Sequence, residues 1–285
     1  MASEAEYLQT LAEIFASSDD ALRVGIGDDG AVVDVKNGSL ALSTDMAVEG
    51  THFNREWSSL YEIGGKITAA NLADIYAMGA TPRYLMVAAA VPKGFSIDEI
   101  SQLARGIHDE ASKVGAVVVG GDLTHSPLLT ISISVFGEVE NPILRSGARL
   151  GDIVAISAMP GASSRGLELL KSGVRDERTA QHRYPTVDYS KIEKLDKKSC
   201  HCLTDVSDGL VAELESLASA SRVSIEIESA KIASDFHTLH GGEDHIFVGT
   251  FTKLPEGWID IGFVHSGEGV RIDGNHITHQ GFTHF

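Results

Sequence analysis

The order of hydrophobic periodicities constrains the fold of this chain more than any other feature. Strand-like runs and helical stretches are mixed without the strict strand–helix alternation of a doubly wound sheet, so an α+β architecture is expected. AVVDV (31–35) and LALSTDM (40–46) read as strands joined across KNGS, whose Asn-Gly is a strong hairpin signal. The pattern turns helical over LYEIGGKITAANLADIYAMGATP (60–82), stopping at Gly79 with Pro82 beyond. YLMVAAAV (84–91), AVVVGGD (116–122) and the long alternating LLTISISVFGEVE (128–140) read as strands, with a helix N-capped by Ser96 between the first two.

A break at NPILRSGARLGD (141–152), rich in Pro, Gly and charge, marks a connection between domains, placed here as 1–143 and 144–285. The 285 residues suit one large or two modest domains. The second half restarts with DIVAIS (152–157), a helix from Ala162 to Lys171, and a polar stretch (172–199) that is partly helical at best. TDVSDGLVAELESLASAS (204–221) reads as an acid-rich turn opening a helix, followed by strands RVSIEIE, HIFVGTF, WIDIGFV and GVRID.

The formal net charge of −17 argues against a general affinity for nucleic acid or anionic membrane surfaces. No apolar run approaches the roughly 18 residues of a membrane span, and the acid-bearing N-terminus reads as an amphipathic helix rather than a signal, so a soluble, cytoplasmic protein is expected. Cys200 and Cys202 flank His201 without the Cys-x-x-Cys spacing of a zinc site and are expected in a surface loop in a reducing compartment. The histidines of NHITHQGFTHF suit neither a zinc helix nor a tag.

Acids recur at turns: Asp28 and Asp29 in GDDG, Asp45 in STDM, Asp122 in GGDLT, Asp205 and Asp208 in TDVSDG. Asp74 adds a charge within a helix, where its neighbours three and four residues away are Ala70, Asn71, Ala77 and Met78. Each turn acid alone reads as a turn former or helix cap. Together, without a ligand-spaced cysteine or histidine pair, they suit a hard cation held through oxygen, Mg²⁺ in particular, with phosphate oxygens and water completing its shell. EF-hand, Walker A, G-x-G-x-x-G, nucleophile-elbow and kinase catalytic-loop patterns are all missing from the sequence.

The pieces GIGDDGAVV, STDMAVEGTHF, KITAANLADIYAMGATP, GGDLT, RSGARLGD, TDVSDGL, GGED and GFTHF occur in the order found in one family. The chain resembles the thiamine-monophosphate kinases of the aminoimidazole ribonucleotide synthetase-like superfamily over most of its length. That resemblance implies ATP-dependent phosphorylation of thiamine monophosphate to thiamine diphosphate, by direct transfer of the γ-phosphoryl group. It implies an N-terminal metal- and ATP-binding domain whose sheets pair across a homodimer, a C-terminal α/β sandwich domain, and an active site in the cleft between domains. It assigns Asp28, Asp45, Asp74, Asp122, Asp205 and Asp208 to several Mg²⁺ ions, with Ser43 and Thr44 beside Asp45. Gly121, Asp122, Arg145 and Ser207 would contact ATP, and His52, Glu243 and Phe282 the thiamine side.

The acceptor phosphate is already a nucleophile, so no general base is assigned. Arg145 has a planar fork suited to phosphate, whereas Lys66 reads as a surface or structural charge. Phe282 reads either as a cover for an aromatic ring or as a core filler, and His52 as a substrate contact or a turn cap. The family's GGEDYEL is GGEDHIF here, Leu123 follows Asp122 where Thr is usual, and the second domain is short, which puts the thiamine contacts in more question than the nucleotide contacts. The rival readings are another ATP-using enzyme of the superfamily and a catalytically silent Mg-nucleotide-binding regulator.

Overall fold

The computed structural model describes residues 10–11, 13–16, 21–24, 32–33 and 39–281. Asp28, Asp29 and Phe282 therefore lie outside the described residues, as does most of the N-terminal helix expected from the sequence. The chain divides into two compact units: the first closes at Glu140, and the second starts at Asn141 and also takes in Tyr76–Gly79.

In the first unit, a short antiparallel pair, β1 (Leu22–Val24) and β2 (Val32–Val33), precedes the main sheet. The sheet is built from β3 (Ser39–Val48), β4 (Thr81–Val91), β5 (Val117–His125) and β6 (Thr130–Val139), in the order β3-β6-β4-β5. Two helices complete the unit, α1 (Leu60–Ala77) and α2 (Ile97–Ser112). Residues 34–38, which hold the expected Asn-Gly hairpin, lie outside the described set; β2 pairs with β1, and β3 forms an unbroken ten-residue antiparallel ladder with β6. That ladder carries β3 three residues past Asp45, so this acid lies within a strand and not at a turn.

Strand β6 shows why one face of this sheet is packed. Ile131, Ile133 and Val135 are fully buried while Ser132, Ser134, Phe136 and Glu138 between them are partly exposed, the period of two expected of a half-covered strand. Strands β4 and β5 run parallel and are connected through α2. Ser96 caps α2 as expected: its hydroxyl accepts the Glu99 N–H at 3.2 Å, and Glu99 Oε2 accepts the Ser96 N–H at 2.8 Å.

Helix α1 buries Ile63, Ile67, Ala69, Leu72, Ala73 and Ile75, and also Lys66, Thr68 and Asn71. Lys66 is thus an internal, structural charge, not a surface one. Helices α1 and α2 meet backbone to backbone: a Cβ at Gly64 would fall on the Leu103 carbonyl oxygen, and one at Gly106 on that of Tyr61.

The second unit holds a seven-stranded sheet of order β13-β12-β9-β11-β7-β10-β8. Its strands are β7 (Ile153–Ile156), β8 (Cys200–Asp205), β9 (Ser224–Ile227), β10 (Phe247–Phe251), β11 (Ile259–His265), β12 (Gly269–Ile272) and β13 (Asn275–Ile277). Only β9 and β12 pair in parallel. All five residues of β10, the strand next to edge strand β8, are buried, so the sheet is covered on both faces there. Helices α3 (Ala162–Lys171), α4 (Leu210–Ser221) and α5 (Phe236–His240) accompany it. Leu210, Leu214 and Leu217 of α4 join Val154, Ile225 and Val248 in one core cluster. The polar stretch before β8 carries only single turns of helix, at Glu177–Thr179, Ala180–Arg183 and Ser190–Glu193. Cys200 and Cys202 lie buried and unbridged in β8, the strand at one edge of the sheet, and not in a surface loop, because β8 pairs with the wholly buried β10.

Among the described residues no helix is long and apolar enough to cross a membrane. The contact between α1 and α2 generates the first prediction. Gly106→Ala should lower unfolding free energy by about 2 to 4 kcal/mol, because the added methyl meets a rigid carbonyl rather than a mobile side chain. Chemical denaturation measures it; stability equal to that of the unmodified chain would show that the helices separate without cost.

Candidate active site

In the first unit, strand alternation and helix periodicity bring a polar group together. Ser43 and Asp45 share one face of β3, and Asn71 and Asp74, three residues apart, share one face of α1. The Ser43 hydroxyl donates to Asp74 Oδ2 at 2.7 Å, and the Asp45 N–H donates to Asn71 Oδ1 at 3.2 Å. Asn71 is itself fixed, since its Nδ2 donates to the Ile67 carbonyl at 2.9 Å. Asp74 is half-buried and Asp45 exposed. Thr44 points to the other face, where its hydroxyl donates to the Ile133 carbonyl at 3.2 Å and accepts from Ser134 Oγ at 3.0 Å. The side chain of Thr44 is therefore not gathered with those of Ser43 and Asp74.

Gly121 and Asp122 lie on β5, at the far edge of the sheet from β3, about 14 Å across at ordinary strand spacing. A Cβ at Gly121 would fall on the Val87 carbonyl, so this close pairing of β5 with β4 requires glycine there. Asp122 is exposed, and beside it opens a cavity of about 100 Å³. Its lining is mostly apolar, from Leu11 and Phe15, Ile100, Leu103 and Ile107 of α2 and Val87 of β4, with Gly120, Gly121 and Asp122 of β5. At the other end of β3, His52 Nδ1 accepts the Val48 N–H at 3.0 Å, which leaves the ring proton of the neutral imidazole on Nε2. The turn-capping role that the sequence allowed for His52 is realised.

In the second unit, β8 ends at buried Asp205, and the turn to α4 carries Ser207 and exposed Asp208. His245, which stands where the family usually has Tyr, is buried with its Nδ1 3.1 Å from Asp205 Oδ2. The loop Gly241–His245 is tied to this turn through its main chain: Glu243 N–H donates to the Ser207 carbonyl at 2.7 Å and His245 N–H to that of Val206 at 2.9 Å. Glu243 and His245 both adopt left-handed backbone angles, φ +65° and +51°, which are costly for non-glycine residues and hold the loop in an uncommon shape. Between them, buried Asp244 accepts the Gly161 and Ser163 N–H groups at 2.6 and 2.9 Å and so closes the N-terminus of α3.

Sequence reasoning missed Glu213. This residue of α4 is buried, and its Oε1 accepts from Ser207 Oγ at 3.2 Å and from the Asp208 N–H at 3.4 Å. Its Oε2 is 3.5 Å from Arg145 Nη1, which also donates to Ser216 Oγ at 2.9 Å. Burial, with the negative charge of Asp205 second, pushes the Glu213 carboxyl up to about 7 against the opposing pull of Arg145. The signal was present, since Glu213 falls three residues after Leu210 and four before Leu217, on the helix face those leucines bury. The cysteine thiols are inert by comparison: burial raises Cys202 to about 11 and lifts Cys200 as well. Among the described residues no three His, Cys, Asp or Glu side chains stand together as a ready metal cluster.

Residues 27–139 match the family model for the AIR synthase related protein, N-terminal domain. The chain is similar to the thiamine-monophosphate kinase of Mycobacterium tuberculosis, with 34% identity over 98% of this chain and 92% of that protein. Its fold is similar to the crystal structure of thiamine-monophosphate kinase from Stenotrophomonas maltophilia, with a TM-score of 0.86, 26% identity, and coverage of 96% of this chain and 98% of that one. It is equally similar to the Aquifex aeolicus protein, AaThiL, complexed with AMPPCP and TMP: TM-score 0.83, 30% identity, 99% and 97% covered. With a relative of that identity along nearly its whole length, and the acid-bearing strands and turns on the same fold, this chain belongs to the thiamine-monophosphate kinase family.

Proposed function

We propose that this chain transfers the γ-phosphoryl group of ATP directly to thiamine monophosphate, giving thiamine diphosphate and ADP. The observation that carries the nucleotide half of this reading is the likeness along nearly the whole chain to AaThiL, whose structure is complexed with AMPPCP and TMP. The space beside Gly120, next to Asp122, lets phosphate approach the backbone of β5. The acceptor is matched by a relative of the same fold, AaThiL, complexed with AMPPCP and TMP.

The donor set fits Mg²⁺. The first unit offers Ser43, Asp45, Asp74 and Asp122, and the second Asp205 and Asp208, all through oxygen, which suits a hard cation. Asp28 completes the set assigned from the family motif, and Thr44 is its weakest member because its hydroxyl is engaged with Ser134. Asp205 would bind with His245 behind it, an arrangement in which a second group orients a ligand. Mg²⁺ held there would neutralise phosphate oxygens and fix their geometry.

The chain's own residues position the reactants. Gly121 and Ser207 offer contacts to the nucleotide, and Arg145 adds a direct cation whose guanidinium is half-exposed. His52, with its Nε2 proton, and Glu243, on its constrained loop, serve the thiamine side together with Phe282. Direct transfer between phosphates requires alignment and charge neutralisation rather than a base.

The outer face of the first sheet suits a second copy of the chain. Leu42 and Met46 of β3 are 64% and 61% exposed and share their face with Leu40, an apolar strip that homodimer pairing would cover. Two buried, unbridged cysteines fit the cytoplasm.

The purified chain given ATP, Mg²⁺ and thiamine monophosphate should form thiamine diphosphate and ADP, followed by chromatography; no product above the enzyme-free control would overturn the reading and leave the silent nucleotide binder. Asp74→Asn should lose roughly a hundredfold or more of turnover, the scale of a removed metal contact. It should stay folded, because the amide oxygen still accepts from Ser43. Full turnover in that variant would remove Asp74 from the metal set.

A further inference from the structure

Helix α4 contacts Arg145 at both its main chain and its guanidinium. Near the C-terminal end of the helix, Ser221 Oγ donates to the Arg145 carbonyl at 3.3 Å and accepts the Gly147 and Ala148 N–H groups at 3.0 and 3.1 Å. Five and eight residues earlier, Ser216 Oγ accepts from Arg145 Nη1 at 2.9 Å and Glu213 Oε2 stands 3.5 Å from the same nitrogen. Glu213 and Ser216, three residues apart, share one helix face, and Ser221 is the last residue of the helix. The other oxygen of Glu213 holds the turn that leads into α4, through Ser207 Oγ and the Asp208 N–H.

This arrangement is costly as a purely structural device. Glu213 is 3% exposed and shares its surroundings with the carboxylate of Asp205, while its one cationic partner, Arg145, has a side chain that is half in solvent. Burying a charge against such a partner usually gains no stability over a neutral side chain of similar shape.

We propose that Glu213 is a positioning residue for the nucleotide: from α4 its two carboxylate oxygens hold the Arg145 guanidinium and the Ser207–Asp208 turn in fixed relation, so that both meet the phosphates of a magnesium-bound nucleoside triphosphate without first being ordered. A flexible arginine loses several rotatable bonds on binding, whereas one already held by Glu213, Ser216 and Ser221 loses less, and affinity rises accordingly. This inference rests on the ATP-dependent reading above.

Glu213→Gln separates the positioning role from a structural one. The amide oxygen still accepts from Ser207 and Asp208, but the charge that holds Arg145 is gone. The variant should melt at the same temperature as the unmodified chain or higher, since a buried like charge beside Asp205 has been removed. It should nevertheless bind Mg·ATP roughly tenfold more weakly by calorimetry at pH 8, the scale of one charge-assisted contact. The loss should fall in KM for ATP more than in kcat, leaving KM for thiamine monophosphate unmoved. Ser216→Ala should weaken Mg·ATP in the same direction, and in an Arg145→Ala background Glu213→Gln should have little further effect.

Undiminished Mg·ATP affinity in Glu213→Gln, or an undiminished effect of that substitution without Arg145, overturns the proposal. A lower melting temperature with unchanged affinity does the same, because it makes Glu213 structural. Calorimetry needs no turnover, so a chain that binds Mg·ATP but forms no thiamine diphosphate sinks the kinase reading alone; one that fails to bind Mg·ATP sinks both.

Discussion

Helix α1 reaches its buried position because its backbone can touch that of α2, and the functional geometry of the first unit depends on that contact. Gly64 and Gly106 each remove the methyl that would otherwise strike a carbonyl of the facing helix. A glycine within a helix costs up to about 1 kcal/mol relative to alanine. Burying Ile63, Leu72 and Ile75 returns about 1.5 to 3 kcal/mol for each side chain. A helix packed this tightly cannot rotate to suit its polar residues, so Asn71 and Asp74 arrive at β3 in one orientation. Ser43 and the Asp45 N–H meet them there.

The same device operates in the second unit with different residues. Helix α4 is fixed by Leu210, Leu214 and Leu217 in the core, and Glu213 on the intervening turn is thereby aimed at Ser207, Asp208 and Arg145. In both units a helix anchored by apolar contacts lends a polar side chain to the acid-bearing segment beside it. The exposed acids, Asp45 and Asp208, have their main-chain N–H groups held and their carboxylates turned toward solvent. A loop acid held by its backbone is ordered before any ligand comes, and ligand binding then carries less of the ordering cost.

Much of this was legible in the sequence, for reasons that differ by element. The N-cap of α2 was readable because Ser96 and Glu99 act locally, and β6 because its alternation is the direct imprint of one packed face. The pairing of β3 with β6 was not readable: the ten-residue ladder joins segments some ninety positions apart, and no local signal announces so distant a partner. Cys200–Cys202 looked like loop because polar lysines and serine precede it, whereas pairing with the wholly buried β10 makes it interior. Asn71 was noticed only as a neighbour of Asp74, since nothing in helical spacing says which strand that face will meet. Glu213 was overlooked because an acid in an amphipathic helix is ordinarily solvated, and only its phase relative to Leu210 and Leu217 marks it as inward.

An acidic protein that uses a polyphosphate must solve an electrostatic problem, and the distribution of charge in the structure indicates how. The whole chain is at −17, and Glu213 of α4 feels the charges of Asp205 at the end of β8 and Asp208 in the turn, with Arg145 as the cation beside it. One half-exposed guanidinium cannot offset three carboxylates and a triphosphate as well, because screening by solvent limits what such a pair contributes. On the proposed reading the missing positive charge comes with the nucleotide as Mg²⁺, and the carboxylates become an asset only then. Acid residues in this setting select for the metal-bound form, since a bare triphosphate would meet repulsion at every carboxylate that the metal would otherwise satisfy. On that reading the acids contribute specificity as well as affinity, and the role left to Arg145 is directional: a fork aimed by α4 rather than a bulk source of charge.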